Sequence, residues 1–286
     1  MEVSVIVPVY NRIENLKYLI YCLKKQSYPI NELIISDDGS SVDVVSFLKE
    51  EVKGCNFKIK YVWQTDLGFR KTRALNNAVK ETKSDILLFL DQDIIFPFNL
   101  VEKILKVIRK DYFIPFKVYY MSEDEKNNFI KENKECNFEY NSLKLDEKQI
   151  KKIKKKVFNS RIKNLKYSLG LKDRGTNLTG GAYAIYKENY IRVNGYDEEY
   201  RSWGKEDDDF AWRVYKSGGK SKIINLDYPI IHLWHYTDPT KGGDMNQKLF
   251  LEKKNKLNKN NFRCKYGYDN SFDNDKVKVI EIKGWI

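Results

Sequence analysis

The sequence predicts an α/β fold, and three observations carry that reading. Short, near-continuous apolar runs alternate with stretches of helical periodicity through the first hundred residues. The runs are rich in Val, Ile and Leu, as strands buried on both faces of a parallel sheet are. Polar residues Asn11, Asp37, Asp38, Asp91 and Asp93 fall where a run has just ended, and that carboxyl edge is where open α/β sheets bind ligands.

The elements follow in order. Val3 to Val9 reads as a buried strand, and Ile13 to Gln26 carries Ile13, Leu16, Leu19, Ile20 and Leu23 at helical spacing, which begins a βαβ unit. Glu32 to Ser36 is a second strand closing on Asp37-Asp38-Gly39-Ser40. A helix near Val42–Glu51 and a third strand from Phe57 to Trp63 come next. Arg70 to Thr82 reads as helix and Asp85 to Leu90 as a fourth strand. From Met121 to Lys172 the pattern thins into Lys, Glu and Asn, although Ile150, Ile153 and Val157 keep helical spacing. Thr179 to Gly219 is dense in glycine, aromatics and acids, and Lys248 to Lys259 reads as a polar helix. The division expected is 1–120, a helical insertion 121–172, a second half 173–240 and an extension 241–286.

At 286 residues, 42% hydrophobic and 32% charged, the chain suits a soluble globular protein of one large domain or two modest ones. No apolar run approaches the roughly 18 residues of a spanning helix. A strand-like run follows Met1-Glu2 directly, so no signal peptide is expected. Cys22, Cys55, Cys136 and Cys264 are scattered without a C-x-x-C pair, which suggests neither disulfides nor a thiolate zinc site and favours a cytoplasmic location.

The formal net charge of +12 is unevenly spread. Between Ile150 and Arg174, Lys151, Lys152, Lys154, Lys155, Lys156, Arg161, Lys163, Lys166, Lys172 and Arg174 stand against Asp173 alone. The segment is either a solvated helix face or a contact for an anionic membrane surface at the inner face or for an acidic acceptor. Nucleic acid is not expected as a partner, because the strand-end acids repel a phosphate backbone.

Three clusters carry chemistry. Asp91-Gln92-Asp93 follows an apolar strand, and its carboxylates suit a hard divalent cation, or one cation and one sugar hydroxyl. Such an ion neutralises a diphosphate leaving group. Trp203-Gly-Lys-Glu206-Asp207-Asp208-Asp209 opens a helical stretch. N-capping and the helix dipole explain one or two of its acids, and crowding raises the pKa of at least one, fitting it to take a proton from a hydroxyl. The only two histidines, His232 and His235, stand three apart, which suits a metal site better than a lone His does.

Read together, Pro8-Val-Tyr-Asn-Arg12, Ser36-Asp-Asp-Gly-Ser40, Gly68-Phe-Arg-Lys-Thr-Arg-Ala-Leu-Asn76, Leu90-Asp-Gln-Asp93, Gly180-Gly181, Asn194-Gly-Tyr196, Trp203 to Asp208 and His232 to His235 resemble a family 2 glycosyltransferase of the GT-A fold. The C-terminal half is similar to the β-1,4-galactosyltransferase and chondroitin-polymerase group. The resemblance covers about Met1 to Pro239 and leaves the last ~45 residues unaligned. It implies a Rossmann-like nucleotide-binding half fused to an acceptor-binding half around one mixed, mostly parallel sheet.

It also implies roles. Pro8, Tyr10, Arg12 and Asp38 (with Asp37 the alternative) line the nucleotide pocket, and Phe69, Arg70 and Arg73 border base and diphosphate. Ala74-Leu75-Asn76 departs from the family's usual Ala-Arg-Asn. Asp91 and Gln92 face the donor, Asp93 and His235 bind Mn2+ or Mg2+, and His232 is a further ligand candidate. Gly180 and Gly181 let the backbone approach the donor sugar. The implied activity is inverting transfer of a hexose or N-acetylhexosamine from a UDP-sugar to a hydroxyl of a growing surface glycan, free or lipid-linked. A non-catalytic nucleotide-sugar or glycan-binding module is the alternative. We assign Asp207 as general base, Glu206 and Asp208 as acceptor contacts and Trp203 as a stacking platform. Leu178 stands where galactosyltransferase-like relatives often carry an aromatic, so the extra room favours a 2-acetamido donor.

Overall fold

The computed structural model describes residues 1–178, 181–236 and 244–282. Strands β1 (Val3–Val9), β2 (Glu32–Asp37), β3 (Lys58–Gln64) and β4 (Ile86–Leu90) alternate with helices α1 (Leu16–Lys24), α2 (Val44–Glu51) and α3 (Lys71–Lys80), matching the expected pattern to within a few residues at each end. β5 (Ile94–Ile95), α4 (Leu100–Val107), β6 (Tyr112–Pro115) and β7 (Val118–Tyr120) follow, then α5 (Glu123–Glu132), α6 (Glu147–Ser168) and β8 (Ala182–Tyr186). The chain continues through α7 (Lys187–Arg192), α8 (Glu206–Lys216), β9 (Lys220–Ser221), β10 (Ile230–His232), α9 (Asp244–Lys256) and β11 (Val277–Ile282).

The main sheet runs β11-β3-β2-β1-β4-β8-β6-β9. Its centre, β3-β2-β1-β4, is parallel, while β8 pairs antiparallel with β4 and with β6, and β11 pairs antiparallel with β3. Strand order reverses between β1 and β4, the switch point where crossovers leave to opposite faces and a crevice opens. Both faces are covered. Val3, Val5 and Val7 pack with α1, α2 and α4 residues, whereas Ile6 and Leu87 pack with Leu75 of α3 and Phe210 of α8. That two-sided burial explains the unbroken apolar runs.

A second, three-stranded sheet orders β5-β10-β7. Its register sets His232 opposite Ile94, so the histidine lands beside the residue following β4's turn.

Two elements go beyond the sequence reading. In the thinned region α5 is opened by a capping box, with Ser122 Oγ accepting from the Glu125 amide at 3.2 Å and Glu125 Oε2 accepting from the Ser122 amide at 2.7 Å. In the unassigned tail β11 extends the sheet edge along β3 from Ile59 to Gln64. α6 fulfils the helical spacing of Ile150, Ile153 and Val157, capped by Asp146, whose Oδ1 accepts from the Gln149 amide at 2.6 Å. Among the described residues no helix is long and apolar enough to cross a membrane.

Asp209 belongs to the frame of the molecule. Its Oδ2 lies 2.6 Å from Arg213 Nε, both side chains being 1–2% exposed, and Arg213 Nη1 donates to the carbonyls of Val193 and Gly195 at 2.8 and 2.7 Å. Arg213→Leu leaves a buried carboxylate uncompensated, so unfolding free energy should fall by about 3–5 kcal/mol in denaturant titration. A loss under about 1 kcal/mol would show that water reaches Asp209 readily.

Candidate active site at the sheet's switch point

The ends of β1, β2 and β4 open into a cavity of about 800 Å³, large enough for a nucleotide-sized ligand. Pro8, Tyr10 and Arg12 line it after β1, together with Asp38 after β2 and Asp91, Gln92 and Asp93 after β4. Phe69 and Gly181 complete this side. Consecutive residues at a strand end point to opposite sides, and that separates Asp37 from Asp38. Asp37 is fully buried and accepts from the Tyr61 hydroxyl at 2.7 Å and the Ser40 amide at 2.7 Å, which makes it a turn anchor. Asp38 reaches the cavity, where Gln64 Nε2 and the Arg70 amide each donate to it at 2.7 Å. Burial outweighs those donors and pushes its carboxyl up to about 6.

Asp91 and Asp93 face different partners. Lys71 Nζ donates to Asp91 at 3.0 Å. Burial opposes the charge of Asp91, but the Lys71 ammonium and the two imidazoles beyond it hold its carboxyl below the usual range. Gly181 explains the tight seat of that carboxylate. At φ +55° it occupies the left-handed region, and a Cβ there would sit 1.8 Å from Asp91 Oδ2. The close approach is therefore made by Asp91. Thr179 and Gly180, the latter expected to share that role, lie outside the described residues.

Asp93 is 3% exposed and lies between the histidines, with His232 Nε2 3.2 Å from Oδ1 and His235 Nε2 3.1 Å from Oδ2. Each of the three residues offers a ligand atom, and these atoms lie within 4.8 Å of one another. Among the described residues no donor has hydrogen-bond geometry to Asp93 Oδ1, although His232 Nε2 lies 3.2 Å away. A buried carboxylate oxygen left open beside two imidazole nitrogens suits a divalent cation. Without one, burial and the neighbouring Asp91 push the Asp93 carboxyl up against the pull of His232 and His235.

The opposite wall is the start of α8. Gly204 (φ +99°) and Lys205 (φ +75°) turn the chain sharply, leaving Trp203 54% exposed at the cavity edge and aiming Glu206, Asp207 and Asp208 inward. Tyr196 donates its hydroxyl to Asp207 Oδ1 at 2.7 Å. Asn177 Nδ2 donates to Asp208 at 3.1 Å, with Arg174 and Lys205 3.6 Å from the same carboxylate. Burial, followed by the charge of Asp207, lifts Glu206 to about 7. Burial also raises Asp207, against Lys71 and the Tyr196 hydroxyl.

Arg70 and Arg73 are not among the residues lining the cavity. Arg70 Nη1 pairs with Asp273 at 3.0 Å and Asp275 at 2.7 Å, and Arg73 donates to Ser271 Oγ at 3.0 Å and Gln64 Oε1 at 3.0 Å. The tail thus holds both guanidinium groups, while the amide of Arg70 serves Asp38. Leu75, the departure from the family pattern, packs in the core, and Asn76 beside it is fully buried and satisfied by Tyr190, Tyr196 and Glu198. Leu178 is 3% exposed, packs in the core with Tyr183 and Phe210 and also borders the cavity.

Sequence reasoning missed Lys71 and Tyr196 as site residues. Both lie inside quoted motifs, and a lysine opening a helix after a strand-end turn was the available signal for the first. Burial opposes the charge of Lys71, yet Asp91, Asp207 and Glu206 together raise its pKa.

The model of glycosyl transferase family 2 matches residues 4–167, more than half of the chain. The chain belongs to that family. The model described as the N-terminal domain of galactosyltransferase matches residues 161–235. The chain is 26% identical over 223 residues to a chondroitin synthase of Escherichia coli, covering 75% of this chain and 32% of that protein. It is 24% identical over 255 residues to a hyaluronan synthase of Pasteurella multocida, covering 86% of this chain and 25% of the relative. The chain thus spans about a third or less of the length of these relatives. The S. aureus protein TarS superposes with a TM-score of 0.54 at 16% identity, over 82% of this chain and 37% of that one. A mannosyltransferase of Pyrobaculum calidifontis, solved with GDP-Man and Mn2+, gives 0.53 at 15% identity, over 84% and 58%. These likenesses establish the GT-A fold of this family 2 glycosyltransferase.

The acidic wall sets a pH dependence. A carboxyl raised in the folded state binds its proton more tightly there than in the unfolded chain, so its stabilisation is complete below the unfolded value and is lost as pH climbs through the folded one. For Glu206 that window runs from 4.5 to about 7, and Asp38, Asp93 and Asp207 act in the same direction. The melting temperature of metal-free protein should therefore fall across this window, and less steeply for Glu206→Gln. Parallel slopes for the two proteins would remove Glu206 as a source.

Proposed function

We propose that this glycosyltransferase moves a sugar from a UDP-sugar to a hydroxyl of a growing glycan, with inversion at the anomeric carbon. The observation that carries the reading is the meeting, in one cavity, of Asp93 and two imidazoles with the paired carboxylates Glu206 and Asp207. TarS has been solved with UDP and with UDP-GlcNAc, which supports a uridine donor, and the synthases of chondroitin and hyaluronan support a glycan product.

Asp93, His232 and His235 would hold Mn2+, or Mg2+ chiefly through the Asp93 oxygens, because carboxylate oxygen suits both ions whereas imidazole suits softer ones. When bound, the ion neutralises charge developing on the departing diphosphate. Pro8, Tyr10, Arg12, Asp38, Phe69, Asp91 and Gln92 bind the nucleotide side, with Lys71 keeping Asp91 ionised. Trp203 stacks on the acceptor ring at the exposed edge, and Glu206 and Asp208 orient its hydroxyls.

Asp207 is the base. Its carboxylate, oriented by the Tyr196 hydroxyl, takes the proton of the acceptor hydroxyl as that oxygen bonds to the anomeric carbon. The bond to the diphosphate oxygen breaks, and its electron pair leaves with UDP. Attack from the face opposite the leaving group inverts the centre. The raised pKa of the Glu206–Asp207 pair gives a stronger base than an exposed aspartate.

Release of UDP from a panel of UDP-sugars, and of GDP from GDP-mannose, with and without metal, tests the reading. Turnover with a UDP-sugar that a chelator abolishes is expected; turnover with GDP-mannose alone, or donor binding without turnover for the whole panel, would overturn it. Asp207→Asn should keep donor affinity and lower turnover by ~100-fold or more, because the amide keeps the shape but cannot accept the proton. Undiminished turnover in that variant moves the base to Glu206.

The donor's 2-substituent is the finer proposal. Leu178 borders the cavity and is smaller than an aromatic side chain, which supports a 2-acetamido donor. Leu178→Tyr should shift preference away from N-acetylated donors by ~1–3 kcal/mol in kcat/KM ratio. An unchanged ratio leaves Leu178 as a core residue alone.

A further inference from the structure

α6 carries an apolar stripe on the side turned away from the protein. Phe158, Ile162, Leu165 and Leu169 follow one another at intervals of four, three and four residues, which sets them in one line along a helix. They are 62%, 37%, 60% and 64% exposed, and Leu171 just beyond the helix is 70% exposed. The opposite side of α6 is the packed one. Ile153 and Ser160 are buried there, and Asn164 donates to the Ser221 carbonyl at 3.0 Å.

Charge frames the stripe. At 100° per residue Lys151, Lys155 and Lys166 fall on the outward side with Phe158 and Ile162, and all three are exposed. A helix that is buried along one side and presents an apolar line edged by lysines on the other is built like a helix lying in a lipid interface. Its rings and leucines can enter the acyl boundary, while the lysine stems run along it and hold their ammonium groups at headgroup level.

We propose that α6 docks this chain onto an anionic lipid surface through Phe158, Ile162, Leu165 and Leu169, with Lys151, Lys155 and Lys166 on the headgroups. The charge selects this occupant. A second copy of the chain would bring the same lysines face to face, and a polyanionic glycan would leave the apolar line exposed to water. The docked helix is also tied to the cavity wall. Lys163 donates to Asn177 at 2.9 Å, and Asn177 donates to the acceptor-side carboxylate Asp208 at 3.1 Å.

The test is co-sedimentation of the full chain with vesicles of phosphatidylcholine, alone or mixed with phosphatidylglycerol. Binding to the mixed vesicles is expected at low salt, with weakening as salt rises and little retention on pure phosphatidylcholine. The triple variant Phe158→Ser, Leu165→Ser, Leu169→Ser should lose about tenfold or more in vesicle affinity while its melting temperature and UDP binding stay as in the parent. The variant Lys151→Gln, Lys155→Gln, Lys166→Gln alters only exposed polar positions, so it keeps the test decisive if the serine variant folds poorly; it should lose the preference for phosphatidylglycerol. Failure of the parent to bind mixed vesicles would overturn the proposal. So would parent-like binding by the lysine variant, or a stripe whose removal only turns a dimer into a monomer in sedimentation equilibrium.

Discussion

Among the described residues six carboxylates line one cavity, and the electrostatic cost of holding them together is the constraint on which the site's architecture depends. Like charges in a low-dielectric crevice repel strongly, so each acid is either given a partner or driven to keep its proton. Asp91 is given Lys71, Asp207 the Tyr196 hydroxyl, and Asp208 the Asn177 amide with Arg174 and Lys205 nearby. Glu206 is driven towards neutrality at about 7. Asp93 is left with an open oxygen between two imidazoles. The repulsion that remains favours a cation beside Asp93 and raises the proton affinity of Glu206 and Asp207.

Much of the frame was legible in the sequence, because parallel strands buried on both faces write unbroken apolar runs. β1, β2 and β4 read that way, while β3, with Lys58 and Lys60 in its first half, is carried by Ile59, Tyr61, Val62 and Trp63, and the acids after β2 and β4 stand at the crevice. β11 was not legible for the complementary reason. Val277 to Ile282 alternates with Lys278 and Glu281, and its middle residues remain exposed on an edge strand, so no contrast between faces stands out. α5 carried its signal in Ser122 and Glu125, a capping pair hidden in a polar stretch with little apolar periodicity.

The arginines show a different limit. The resemblance implied that Arg70 and Arg73 border base and diphosphate, but neither is among the residues lining the cavity. What it could not tell was that Asp273 and Asp275, about 200 residues along the chain, compete for the same guanidinium groups. Bidentate pairing with a carboxylate satisfies an arginine as well as a diphosphate does. The choice between them is made by tertiary geometry, here by β11 carrying the tail back along β3. Gly181 belongs with this class: its identity announced a close approach, but the approaching group is the Asp91 side chain.

The two halves expected from the sequence meet in a single sheet, and this explains why the site cannot be divided between them. β8, from the second half, lies antiparallel between β4 and β6 of the first, so the Asp91 strand end and the Gly181 backbone are hydrogen-bonded neighbours. β10 inserts between β5 and β7, and the Leu233 amide donates to the Asp93 carbonyl at 2.9 Å, which sets the height at which His232 meets its carboxylate. A one-residue slip in that short pairing would turn His232 to the other face of the small sheet. Asp93 therefore meets the two imidazoles only through correct docking of the second half. The same docking brings Glu206 and Asp207 across the crevice from Lys71, so the candidate cation site and the proposed base are assembled by one packing event.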